Sequence, residues 1–256
     1  MNSAPPAATS APISATGKLR LALRLAAMVA LLLVSVPGYY LWRILRLRNP
    51  WPRWFLGGIA VIAGVETTVV GRRASGRTFF LANHVSWLDV PALAGASGAA
   101  FVAHDGLAAF PLLKWLCEMN DTVFVARHDR ASVAVQVEQI RAAIAETDAL
   151  AVFPEGTTSD GSGLLPFKSS LLSALDPVPP GIAVQPVLLD YDADATAIAW
   201  VGDEHGIDNF KRILARARPI RLTVRFLPPL TGRQLTDRKT MATAARAALL
   251  EALHQA

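Results

Sequence analysis

Leu81-Ala82-Asn83-His84-Val85-Ser86-Trp87-Leu88-Asp89 is the stretch from which the fold and the chemistry of this chain are read. Residues 77–82 before it are rich in aromatic and β-forming side chains and fit a buried strand. An Asn-His pair follows, and a carboxylate comes five residues after the histidine. On a continuous helix five residues turn ~500°, which leaves the two side chains ~140° apart. They can meet only if the strand ends near Asn83 and a helix starts near Ser86. His84 then sits in the turn, and Asp89 in the first helical turn can reach back to one ring nitrogen and leave the other as a proton acceptor. The same letters fit a second reading: Ser86-x-x-Asp89 has the form of a capping box, with His84 an ordinary strand-end residue.

A second strand-then-polar-turn junction lies downstream. Residues 150–153 read as a buried strand, and Pro154-Glu155-Gly156-Thr157-Thr158-Ser159-Asp160-Gly161 follows. Glycine lets a ligand approach the backbone closely, and neighbouring amides and hydroxyls can hold an anionic oxygen. An ordinary polar loop fits equally. Lys168, in Leu165-Pro166-Phe167-Lys168, can reach back to this loop or simply be solvated. Arg127 closes the strand-like Asp121-Thr122-Val123-Phe124-Val125-Ala126. There it is either a surface charge or a bidentate grip for a phosphate.

Composition locates the rest. Hydrophobic residues make up 52% of the 256, and mean hydropathy is +0.35. That leans toward membrane contact and allows one good-sized domain with further apolar segments. The single cysteine, Cys117, excludes an internal disulfide framework. The formal charge of +5 is concentrated at the front: residues 1–65 hold seven basic side chains and no acid. The remainder carries 18 basic and 20 acidic residues. Basic residues around apolar segments suit anionic lipid headgroups, and a near-neutral body argues against nucleic acid.

Residues 1–17, rich in Ala, Pro, Ser and Thr, read as a disordered tail. Residues 25–42 are uncharged and fenced by Arg24 and Arg43. As a helix they span ~27 Å against a hydrocarbon core of ~30 Å, and Pro37-Gly38 is expected to kink or break them. No good cleavage site follows, so the segment reads as a retained anchor. Tyr39, Tyr40, Trp42, Trp51 and Trp54 suit a headgroup boundary. The run 54–65 is too short to span and reads as an interfacial segment or a packing partner of the first. Strands are expected at 67–70, 78–82, 99–103, 122–126, 150–153, 182–189, 196–201 and 220–226. Helices are expected at 107–119, 132–144 and 236–253. Such alternation implies an α/β domain with a parallel or mixed sheet.

The five histidines form no HxxxH or HExxH, so no metal site is expected. There is no GxSxG elbow, no GxxxxGK[ST] and no GxGxxG at a strand–helix junction. What remains is four blocks in order across residues 78–189. Asn83-His84 with Asp89 gives NHxxxxD. Phe124 and Arg127 give the end of GxxFxxR, with Asp121 in place of its glycine. Phe153-Pro154-Glu155-Gly156-Thr157 with Ser159 gives FPEGTxS, and Pro186 stands for the fourth block. Together they resemble the PlsC-type glycerolipid acyltransferases.

That resemblance implies a single mixed or parallel-sheet α/β acyltransferase domain over 67–256, behind a membrane-anchoring or interfacial helical segment over 18–66. It implies a catalytic dyad of His84 and Asp89, with Arg127, Glu155, Gly156, Thr157 and Lys168 binding the acceptor. It also implies transfer of an acyl group from acyl-CoA or acyl carrier protein to a lysolipid hydroxyl, with no cofactor. Partners would then be the lysolipid, the thioester and a membrane, without nucleic acid. Because these thioesters are cytoplasmic, the expected location is the inner cell membrane with the active site facing the cytoplasm. One departure bears on the acceptor: glycerophosphate enzymes often read FPEGTRS, whereas Thr158 stands here. Gly-Thr-Thr-Ser-Asp-Gly followed by Leu-Pro-Phe-Lys also resembles the branch that acylates lyso-ornithine lipid. Lysophosphatidate is placed first and lyso-ornithine lipid second, with a non-catalytic lipid-binding protein as the reading of another class.

Overall fold

The structure is a computed structural model that describes residues 13–125, 133–202 and 204–255. Two helices lead, α1 (Ala15–Ile44) and α2 (Trp51–Ala63). Seven strands follow: β1 (Val65–Gly71), β2 (Arg77–Ala82), β3 (Ala100–His104), β4 (Val123–Val125), β5 (Ala149–Val152), β6 (Ile182–Asp190) and β7 (Ile220–Phe226). They form one sheet in the order β1-β7-β6-β2-β5-β3-β4. All pairings are parallel except β6 with β7. The helices among them are α3 (Asp89–Ser97), α4 (Pro111–Met119), α5 (Val133–Glu146), α6 (Ala195–Ile198), α7 (Gly206–Ala215) and α8 (Arg238–His254).

Strand β2 is central and buried on both faces, which is why it reads as a continuous apolar run. Alternate side chains go to opposite layers. Phe79 and Leu81 pack with Ile140 and Ile144 of α5 and Met241 and Ala245 of α8. Phe80 and Ala82 pack with Leu93 and Ala94 of α3 and Ile213 and Leu214 of α7. Two helical layers thus clamp the sheet, and each buried Phe or Leu contributes on the order of 1.5–3 kcal/mol.

The N-terminal pair packs outside α3. A Cβ added at Gly57 of α2 would lie 3.2 Å from the Cα of Gly95 in α3, a backbone approach that only two glycines allow. Helix α1 runs through Pro37 without the break that was one of the two expected outcomes there. It is long and apolar enough to cross a membrane. Contacts to the body hold both of its ends. Arg20 donates to the carbonyl of Ala215 at 2.7 Å and Arg24 to that of Leu214 at 3.0 Å. Just beyond the far end, Arg48 pairs with Asp148.

One expected strand is corrected. Residues 196–201 alternate like a strand but form the short helix α6 and a loop. Asp192-Ala-Asp194-Ala start a turn there, and the Trp200 amide donates to the carbonyl of Val85 at 3.1 Å instead of entering the sheet. The expected helix at 107–119 is also split: a 3-10 turn covers Asp105–Ala109, and α4 begins at Pro111, where a missing N–H costs nothing.

Candidate active site

The strand ends at Ala82, the turn occupies 83–88, and α3 begins at Asp89, three residues later than the sequence suggested. Asn83 fixes the turn's start. Its side-chain amide donates to the carbonyl of Leu189 at 3.0 Å and accepts from the Leu189 amide at 2.7 Å, extending the β2–β6 pairing by a side chain. Asp89 fixes its end. One carboxylate oxygen accepts from the amides of Val85 at 2.6 Å and Ser86 at 2.9 Å, and lies 2.7 Å from His84 Nδ1. The other accepts from the Tyr191 hydroxyl at 2.6 Å. Part of the capping-box reading is present as well: the Ser86 amide donates to Asp89 and the Leu88 amide lies 3.5 Å from Ser86 Oγ, although Leu88, the residue directly preceding α3, gives no side-chain cap. A carboxylate that only accepts assigns the proton to His84 Nδ1 and leaves Nε2 with its lone pair.

The imidazole is held on its face as well. Phe153 stacks on it at 4.2 Å between ring centroids and 14° between planes, and Phe101 stacks behind Phe153 at 6.0 Å. Both backbone groups of His84 are engaged. Its amide donates to Glu155 at 2.9 Å, and its carbonyl accepts from the Ser159 amide at 2.7 Å and hydroxyl at 3.1 Å. The loop after β5 is therefore bolted onto the loop after β2.

Glu155, expected among the acceptor-binding residues, is placed by this geometry between two loops. It is 1% exposed, and its second carboxylate oxygen accepts from the Leu165 amide at 3.0 Å. Both oxygens hold loops, so its part in this geometry is to fix the loop that carries His84. Burial pushes its carboxyl up from the ordinary value, against the two amides that pull it down. Gly156 has φ +71°, and a Cβ there would lie 2.8 Å from Lys168 Nζ. The missing side chain is what lets Lys168 lie over this loop. Thr157 is exposed beside it, and the Thr158 hydroxyl donates to the carbonyl of Trp200. Arg127 lies outside the described residues.

His84, Gly156, Thr157 and Thr158 share a cleft of about 720 Å³ at the carboxyl ends of β2, β5 and β3. Open α/β sheets place ligands at that edge. Its interior is apolar, with Val90, Phe101, Val102, Leu107, Val125 and Leu171, and Trp200, Val201, Gly202 and Glu204 contribute to its wall. The sequence reading missed two participants, Tyr191 and Trp200. A tyrosine directly after the longest buried strand must find a partner for its hydroxyl, and that is the signal that marks it.

Residues 66–190 match the family model described as Acyltransferase. A lyso-ornithine lipid O-acyltransferase of Brucella abortus is 34% identical over 245 residues, covering 88% of this chain and 91% of that protein. The chain belongs to the acyltransferase family. The matched region contains the whole dyad and the Pro154–Ser159 loop of this acyltransferase. A 1-acyl-sn-glycerol-3-phosphate acyltransferase of Neisseria gonorrhoeae is 39% identical over 100 residues, 37% of this chain and 38% of that one. The crystal structure of PlsC from Thermotoga maritima, a 1-acyl-sn-glycerophosphate acyltransferase, superposes with a TM-score of 0.65. At 20% identity it covers 93% of this chain and 97% of that chain and shares the fold.

Proposed function

We propose that this acyltransferase esterifies the free hydroxyl of lyso-ornithine lipid with an acyl group from acyl-CoA or acyl carrier protein. The observation that carries the chemistry is the 2.7 Å contact of His84 Nδ1 with a fully buried Asp89, which leaves Nε2 to the cleft. Nε2 takes the hydroxyl proton as the acceptor oxygen attacks the thioester carbonyl carbon. Asp89 stabilises the imidazolium that forms. The tetrahedral intermediate then expels the thiolate, the C–S bond breaks, and His84 returns the proton to sulfur. No covalent acyl-enzyme is required, and no protein group changes oxidation state. The apolar interior of the cleft suits a fatty chain.

Two observations support the acceptor. The Brucella relative carrying that name matches along nearly the whole chain, whereas the Neisseria glycerophosphate enzyme matches over little more than a third. Thr158 spends its hydroxyl on a backbone carbonyl and brings no cation to a phosphate. An ornithine headgroup presents one carboxylate beside its ammonium, and Lys168 beside Gly156 can meet that carboxylate. This reverses the order of acceptors drawn from the sequence alone. Membrane association follows from a lipid substrate and from the apolar face of α1, where Leu23, Val29, Leu33 and Ile44 are all exposed. The cytoplasmic thioesters favour an inner-membrane site facing the cytoplasm.

The test is competition. Full-length enzyme is given a labelled acyl thioester and equimolar lyso-ornithine lipid and lysophosphatidate in mixed micelles. The expected product ratio favours the ornithine lipid by about tenfold or more, the scale of discrimination a few polar contacts provide. A reversed ratio makes lysophosphatidate the acceptor. Transfer to neither leaves the non-catalytic lipid-binding reading.

A further inference from the structure

Asp89 is wholly buried, so each of its oxygens must be satisfied by the protein. The oxygen facing His84 has three donors: the ring nitrogen and two amides of its own turn. The other takes the hydroxyl of Tyr191, 102 residues away in sequence, at 2.6 Å. We propose that Tyr191 is a positioning residue for the dyad: its hydroxyl anchors the far oxygen of Asp89, so that the near oxygen stays aligned with His84 Nδ1 throughout the proton transfers. This rests on the reading of His84 as the base.

Three features make Tyr191 suited to the task. It follows β6 directly, two residues after Leu189, which Asn83 clamps through both its amide and its carbonyl. The same asparagine that starts the His84 turn therefore fixes where the Tyr191 ring enters. The ring is packed in the core among α3, α6 and α7, and Tyr191 accepts at its carbonyl from the Asp194 amide at 3.0 Å. Finally, burial, with the Asp89 charge beside it, pushes the phenol well above its ordinary pKa, so the hydroxyl remains a donor at every working pH. An ionised or rotating partner could not hold a carboxylate in one orientation. Removing the hydroxyl leaves a charged oxygen without a protein donor at a buried position. The carboxylate then has to rotate, admit water or bind a proton, and each of these weakens its hold on Nδ1.

The experiment uses full-length enzyme with Tyr191→Phe, which removes one oxygen and keeps the ring. The expected loss is about 10- to 100-fold in kcat, the range for a hydrogen bond to a charged group, with KM for donor and acceptor within about twofold. In an Asp89→Asn background the same change costs less than about twofold, because Tyr191 acts through the carboxylate. Without substrate, the downfield Nδ1 proton resonance of His84, assigned by its absence in His84→Gln, shifts or exchanges faster in Tyr191→Phe. An unchanged kcat, or equal losses in both backgrounds, or an unmoved resonance overturns the proposal. If wild-type enzyme transfers acyl groups to neither acceptor, the functional reading fails and the resonance alone decides the role of Tyr191.

Discussion

The cleft has two unlike walls. On the one that carries His84, Asn83, Asp89, Glu155 and Ser159 are each less than 5% exposed, and every one is hydrogen-bonded to another strand end or loop. The other wall includes His104, Gly106, Leu107 and Cys117, and the segment they belong to, His104 to Met119, buries no residue in its 3-10 turn or in α4 and leaves Phe110 at 64% and Leu112 at 61% exposed outside the cleft lining. Proton transfer depends on distances held to fractions of an ångström, so its wall is polar, dry and over-determined. The facing wall is apolar and loosely seated, which suits the proposed recognition of a flexible fatty chain, a task that needs area and little else. Substitutions should therefore act through kcat on the first wall and weakly, if at all, on the second.

The largest expected effect after the base itself belongs to Asp89→Asn, roughly 10²–10⁴-fold in kcat. An amide has one accepting oxygen where the carboxylate has two, which accept from four donors, and its NH2 group would face an amide, a ring N–H or a hydroxyl. Steady-state kinetics on folded protein measures it. A loss below about tenfold would mean that His84 does not depend on its partner.

Glu155→Gln comes next. One of the two bolted amides, His84 or Leu165, then meets a donor instead of an acceptor, which costs about 1–3 kcal/mol of stability and slows turnover by misplacing His84. The pH dependence has a definite sign. Burial lifts the folded-state pKa of Glu155 above its ordinary 4.5, so its contribution to stability is fully present below that value and is lost as pH rises through the lifted one. Glutamine does not titrate. Urea midpoints of the two proteins should therefore converge as pH rises from about 4.5, and a gap that widens contradicts the assignment.

Much of the locked wall was legible in the sequence because its partners are close along the chain. His84 and Asp89 are five residues apart, and the turn between them follows from a strand that cannot continue as a helix. Residues 220–226 alternate with period two and form β7 over those very residues. Partners far apart were not legible. Nothing near Tyr191 shows that its hydroxyl reaches Asp89, and nothing near Glu155 shows that both its oxygens are already spent. Residues 196–201 carry strand alternation, yet their Trp200 amide is engaged by the carbonyl of Val85 in the loop after β2. The start of helix α3 was legible to within three residues from the His84–Asp89 spacing, but its extent was not, because Asp89–Ser97 is short, holds Pro91 and Gly95, and is largely buried, so no period of 3.6 shows.

A smaller effect is expected from Lys168→Ala, several-fold in KM for the acceptor with kcat little changed, because Lys168 is exposed and lies beside the loop without touching the dyad. Kinetics with varied lyso-ornithine lipid checks it, and a kcat effect without a KM effect would move Lys168 to the chemical wall. The smallest belongs to the facing wall. Phe110→Ser should change thermal stability by no more than about 0.5 kcal/mol, since the ring is mostly solvent-facing. A larger loss would show that this wall is as firmly packed as the other.

The most direct measurement is acyl transfer by His84→Ala, compared with wild type in samples of matched circular dichroism and melting temperature. A locked dyad that supplies the base predicts wild-type transfer from an acyl thioester to a lysolipid hydroxyl, and a loss in the variant of roughly 10²–10⁴-fold or more, with donor and acceptor still bound. A folded His84→Ala protein that turns over near the wild-type rate would contradict the account.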